Sequence, residues 1–109
     1  MNDPVKPEEI DPIIHERARL AIVSALAVTP EMPFTELKEQ LDLTDGNLSA
    51  HAAKLEDAGY IEIKKSFQDK RPRTTMRLTS RGRKAFKRYL QTLSRIVEPD
   101  QDESSQKGK

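Results

Sequence analysis

The chain has 109 residues, 35% of them apolar and 34% charged, with no cysteine, no tryptophan and a formal net charge of +1. That length fits one domain, and the missing cysteines exclude disulfides, thiolate metal sites and cysteine nucleophiles. No apolar run approaches the ~18 residues of a membrane span, and the acidic start lacks a signal-peptide apolar stretch, so a cytoplasmic protein without a membrane partner is expected.

The small total charge hides an asymmetry. Residues 1–59 hold five Lys and Arg against twelve Asp and Glu, whereas residues 60–95 hold twelve against two. A basic block inside a near-neutral chain points to a localised polyanion contact. The ends carry few large apolar side chains. A flexible tail is expected over residues 1–10, a folded domain over 11–97 and a disordered acidic tail over 98–109. So small a domain buries only about 60–65% of its unfolded surface, and sharing apolar faces between two subunits would add to it.

The first helix is expected to start at Asp11, with Pro12 in its first turn, and to end near Val28 before Thr29-Pro30. It is apolar on both sides: Ile13, Leu20, Val23 and Ala27 cover one, Ile14, Ala18, Ala21, Ile22 and Ala25 much of the other. Such a helix is buried on both faces, one against its own domain and one against a second subunit. Thr35 is expected to cap a short second helix that buries Leu37 and Leu41. Three residues, Asp42-Leu43-Thr44, separate it from a third. Thr44 caps that third helix, Asp45 suits its positive end, and Gly59 stops it. Two short helices so joined, the second carrying Leu48, Ala52 and Leu55 inward, form a helix-turn-helix.

Beyond Gly59 the period changes to two. Ile61 and Ile63 alternate with Glu62 and Lys64 in a strand reaching about Phe67; Gln68 to Arg73 is expected to be a polar loop; Thr74, Met76 and Leu78 form the return strand. Thr79 or Ser80 caps a last helix from about Arg81 to Val97. Its apolar positions Phe86, Tyr89, Leu90, Leu93, Ile96 and Val97 outlast what a compact three-helix core covers.

This order of elements is that of a winged helix-turn-helix: an α+β, mainly α fold with a three-helix core, a β-hairpin wing and a C-terminal dimerisation helix. The stretch NLSAHAAKLEDAGYI, the Lys/Arg-rich loop and LTSRGR resemble the small winged-helix transcriptional regulators of the MarR and ArsR groups. The likeness spans Asp11 to about Leu93 and implies double-stranded DNA as partner and dimerisation through the terminal helices.

The third helix turns a small-residue face away from its buried stripe. Small side chains allow close approach, so Thr44, Asn47, Ser49 and Ala50 are candidates for base edges or phosphates, with Lys54 along the backbone. No arginine or glutamine stands there for a bidentate base contact. The wing is the stronger candidate: Lys70, Arg71 and Arg73 surround Pro72, an arginine at a wing tip suits a narrow minor groove, and Lys64 and Lys65 suit phosphates. Arg81 is a further phosphate candidate; Arg83, Lys84, Lys87 and Arg88 suit an exposed helix face. His51 lies beside the buried stripe and suits packing or capping; His15 is far from it in sequence. Without cysteines a zinc site is not expected, nor a cofactor, and no catalytic triad, phosphate loop or paired-carboxylate motif points to an enzyme. Ile13, Ile14, Ile22, Leu90, Leu93, Ile96 and Val97 are the candidate dimer contacts.

The expected function is sequence-specific duplex binding by a homodimeric regulator, of repressor type. Two rivals share the fold: a protein-interaction module that never touches DNA, and a ligand- or metal-responsive sensor. No particular small-molecule effector is implied.

Overall fold

The structure, a computed structural model, describes residues 3–98. A 3-10 turn at Pro7–Glu9 leads into helix α1 (Arg17–Val28), strand β1 (Met32–Pro33), helices α2 (Phe34–Leu41) and α3 (Asp45–Asp57), strands β2 (Ile61–Gln68) and β3 (Arg71–Leu78), and helix α4 (Ser80–Val97). The three strands form one antiparallel sheet in the order β1-β3-β2. Mainly helical, with a hairpin after the third helix, this is the winged-helix architecture that the sequence pattern predicts.

The α1 boundary is corrected. Asp11 does cap the chain locally, its Oδ1 accepting from the Ile13 and Ile14 amides at 2.8 and 3.3 Å. Only a turn follows, and the helix begins after Glu16, whose extended backbone makes it the N-cap while its carboxylate accepts from Arg19 N at 2.8 Å. That N–H, the largest influence on it, holds the Glu16 carboxyl below its ordinary value. The flexible-tail expectation is corrected for the residues just ahead of it. Glu9 accepts from the Lys6 amide and from Arg95 of α4, and Arg95 also donates to the Asp3 carbonyl, so this segment is strapped to α4. The acidic tail expected from residue 98 onward lies, beyond Glu98, outside the described residues.

The core gathers one side of α1, Leu37 of α2, the Leu48-Ala52-Leu55 stripe of α3 and the inner face of the sheet (Met32, Ile61, Met76, Leu78). Leu48 and Leu55 are fully buried, each contributing about 2 kcal/mol by removal from water. A smaller cluster of Ile14, Ala85 and Tyr89 fixes α4 to the segment before α1. Ile14 and Ile22 are both fully buried inside the single chain. They are therefore removed from the candidate dimer contacts: α4 and the chain's own core cover the face that was assigned to a second subunit. Ile13 is half-buried and packs on the main core.

The helix-turn-helix is tight. Pro33, not Thr35, is the N-cap of α2, and Asp42 closes that helix in the left-handed conformation, φ 56°. Thr44 caps α3, its Oγ1 accepting from Asn47 N at 3.0 Å. Gly59, at φ +82°, turns the chain into β2. The junction with α4 is equally close: the Thr79 hydroxyl donates to the Gly59 carbonyl at 2.6 Å and accepts from Gly82 N at 2.9 Å. A Cβ on Gly82 would stand 2.1 Å from the Tyr60 carbonyl oxygen, so the LTSRG run brings backbone against backbone.

Candidate nucleic-acid interface

Pairing between β2 and β3 runs without a break from Ile61↔Leu78 to Gln68↔Arg71. The polar loop expected over 68–73 is thus corrected: the connection is the two-residue turn Asp69-Lys70, both left-handed at φ 54° and 64°, as a hairpin of this twist requires. Arg71, Pro72 and Arg73 are strand residues. Alternation then divides the wing into two faces. Ile61, Ile63, Lys65 and Phe67 share the inner face with Leu78, Met76, Thr74 and Pro72. Glu62, Lys64, Ser66 and Gln68 share the outer face with Arg77, Thr75, Arg73 and Arg71.

The inner face meets the third helix. Ser49 and Ala52 of α3, Phe34 of α2, and Ile63, Lys65, Thr74 and Met76 of the wing line one groove. A second concavity lies between the start of α2 and the outer part of β3, lined among others by Thr35, Gln68, Arg71 and Arg73. Thr44, Asn47, Ser49, Ala50 and Lys54 of the helix-turn-helix, and Lys64, Lys65, Lys70, Arg71 and Arg73 of the wing, are all exposed. Of these, Ser49 and Lys65 share the helix–wing groove, Arg71 and Arg73 share the second concavity, and Lys64 faces away on the outer side. Arg77, further down that side, is neutralised by Glu62 at 2.6 Å.

Several side chains hold α3 in place, and sequence reasoning assigned partners to none of them. Lys38 of α2 pairs with Asp45 at 2.8 Å, which raises the Lys38 ammonium above its usual pKa. The acidic group at the head of α3 is thereby tied to α2. On the opposite side of α3, Arg19 spans from the Ile13 carbonyl, 2.6 Å, to His51 Nδ1, 3.1 Å, with Glu16 3.7 Å from the same imidazole nitrogen. His51 thus tethers α3 to α1, the packing role its position suggested. His15 is engaged elsewhere, 2.7 Å from the Tyr89 hydroxyl. Among the described residues no group of three or more His, Asp or Glu stands close enough to share a metal ion, and no helix is long and apolar enough to cross a membrane.

Arg83, assigned to the exposed face of α4, donates to the Ala27 carbonyl at the end of α1, 3.2 Å. Arg81 runs beside Gly59. Further along α4, Leu90, Ile96 and Val97 are exposed while Leu93 is half-buried against the smaller cluster.

Known proteins share this arrangement. A family model for the winged helix DNA-binding domain matches residues 18–97. An uncharacterized protein of Methanocaldococcus jannaschii is 42% identical over 78 residues, 72% of this chain and 85% of its own. A transcriptional regulator homologue from Pyrococcus horikoshii is 34% identical, with a TM-score of 0.76 over 80% of this chain and 86% of its own. The PcaV transcriptional regulator of Streptomyces coelicolor, solved with its natural ligand, is 20% identical and has a TM-score of 0.69. The match covers 84% of this chain and 63% of that one. It shares the fold, as do MarR-family regulators at similar identity. Fold, exposed basic wing and family model agree, and the chain belongs to the winged helix DNA-binding domain family.

Proposed function

We propose that this protein binds double-stranded DNA sequence-specifically as a homodimer and acts in the cytoplasm as a transcriptional repressor. The observation that carries the reading is the groove shared by α3 and the wing, where Ser49 faces Lys65 and Thr74, with Lys70, Arg71 and Arg73 exposed beyond it. In that seating α3 enters the major groove, where small Ser49 and Ala50 let its backbone close on the base edges and Asn47 and Thr44 offer polar groups. The wing then reaches the flanking minor groove with its cations. Lys64 and Lys54 serve phosphates on either side. The exposed Leu90, Ile96 and Val97 supply an apolar strip on α4 for a second copy, and two-fold pairing would space two half-sites about one helical turn apart.

Anisotropy titration of labelled duplex across a salt series tests this. Binding is expected to weaken linearly in log K against log salt. Arg71→Ala or Arg73→Ala removes one phosphate or groove contact per subunit, so the slope should shrink by about 2 per dimer. Absence of duplex binding at low salt would favour a protein-interaction module, and unchanged affinity and slope in both variants would remove the wing from the interface.

A further inference from the structure

Phe67 stands out on the wing. It is 77% exposed, lies one residue from the turn-flanking rung Gln68↔Arg71, and faces Pro72 directly across the hairpin. Among the described residues the other large exposed apolar side chains, Val28, Leu90, Ile96 and Val97, lie on helices. A cross-strand pair of this kind helps to hold the ribbon together, yet that role leaves most of the ring in water. The pleat puts Phe67 and Pro72 on the inner face, in line with Lys65 and Thr74 and beyond the groove that α3 shares with the wing.

Its surroundings indicate the partner. Within six residues of Phe67 in sequence stand Lys64, Lys65, Lys70, Arg71 and Arg73, all exposed, against the single acid Asp69 and, at the root, Glu62. An apolar protein surface would leave these charges without counter-charge. A polyanion that also offers a flat apolar edge satisfies both, and a DNA minor groove does so, with phosphates on its rims and sugar and base edges on its floor.

We infer that Phe67, backed by Pro72, is an apolar wedge on the inner face of the wing that enters the minor groove and partly unstacks one base step, while Arg71 and Arg73 on the outer face of the same ribbon reach the rim phosphates. Resting on the DNA-binding reading above, this adds a mode of recognition to it. Unstacking requires the least energy at flexible pyrimidine–purine steps, so the wedge adds a preference for deformability to the preference for groove shape and charge that the cations supply. A wedge of this kind kinks the duplex by roughly 20–90°.

The test uses full-length protein and two duplexes of equal length, each long enough for two half-sites. One alternates T and A with 2-aminopurine in place of adenines, and the other lacks pyrimidine–purine steps apart from the probe's own flanks. Wild-type protein should raise 2-aminopurine fluorescence on the first and shorten its end-to-end distance in energy-transfer measurements. Phe67→Ser should abolish both effects and lower affinity for that duplex roughly a hundredfold, about tenfold for each of the two aromatic–base contacts a dimer loses, with the salt slope unchanged. Phe67→Leu, which keeps an apolar wedge, should retain them. Circular dichroism and melting temperature confirm that each variant is folded. Steep, salt-dependent binding without any fluorescence or distance change overturns the wedge while leaving the DNA-binding reading intact. Failure of the wild type to bind either duplex at low salt overturns both. A fall in mass of the DNA-free protein on Phe67→Ser, read by sedimentation, overturns the wedge in favour of a contact between copies.

Discussion

The Tyr60 hydroxyl donates to Asp11 Oδ2 at 2.5 Å, joining the root of the wing to the segment that precedes α1. Forty-nine residues separate the two in sequence. The contact closes the back of the domain, where α4, the wing root and the N-terminal turn converge.

Burial, then the hydrogen bond to Asp11, pushes the Tyr60 phenol up to about 12 from its ordinary 10.0. The folded state therefore keeps its proton where the unfolded chain has lost it. The stabilisation is fully present below pH 10 and is lost as the pH rises through 12. Because the ring is only partly covered, the loss is on the order of 1 kcal/mol. Urea unfolding at pH 8 and pH 11.5 should show it in the wild type. Tyr60→Phe should reduce that difference, leaving the part due to the Tyr89 phenol, which burial also raises, while costing about 1 kcal/mol at pH 8 for the vacated Asp11 bond.

Gly82→Ala places a methyl group inside the Tyr60 carbonyl. The first turn of α4 must move away from the wing root, which breaks the Thr79 bridge to Gly59 and Gly82. A destabilisation of about 3 kcal/mol is expected, with a fall in melting temperature readable by calorimetry. Gly46→Ala, with nothing within 4 Å of the added carbon, should leave stability equal or slightly raised, as alanine favours a helix by about 1 kcal/mol over glycine.

Leu90→Glu combined with Ile96→Glu charges the exposed strip of α4. Both side chains lie outside the buried core, so helix content by circular dichroism should persist while sedimentation shows two copies falling to one. Duplex affinity should drop with it, because two half-site contacts no longer act together. A wild-type protein that sediments as a single copy at all concentrations would contradict the paired arrangement.

The parts of this fold that were legible in the sequence are those decided by neighbours in the chain. Thr44 and Thr79 announce helix starts because their hydroxyls cap amides three residues on. Gly59 announces a stop because its backbone is left-handed. The α3 stripe and the Ile61-Ile63 alternation follow from periodicity alone. What was misread was decided at a distance. Asp11-Pro12 has the local chemistry of a helix start, yet Asp11 is committed to a turn and to Tyr60. Ile14 and Ile22 were assigned to a second subunit because periodicity shows that a face is apolar but not what covers it; for Ile14 the cover is Ala85 and Tyr89, some seventy residues away. The two-residue β1 is too short for any alternation. The wing turn hid because Asp-Lys lacks the glycine that usually marks such a turn. Of the interface, the charged and small exposed residues were visible as types. The pairing of Lys38 with Asp45 and the division of the wing into two faces needed the register.

The sheet is three strands wide only at its base. Strand β1 pairs with β3 at Met76 and Thr75 and goes no further, whereas β2 and β3 continue together for four more rungs to Arg71. Beyond Thr75 the ribbon is a cantilever, clamped at one end and stiffened by a single ladder. Its tip is held by fewer partners than its base and has room to follow the curvature of what it touches. Lengthening or replacing whole rungs would alter reach and preference without disturbing the domain that carries them.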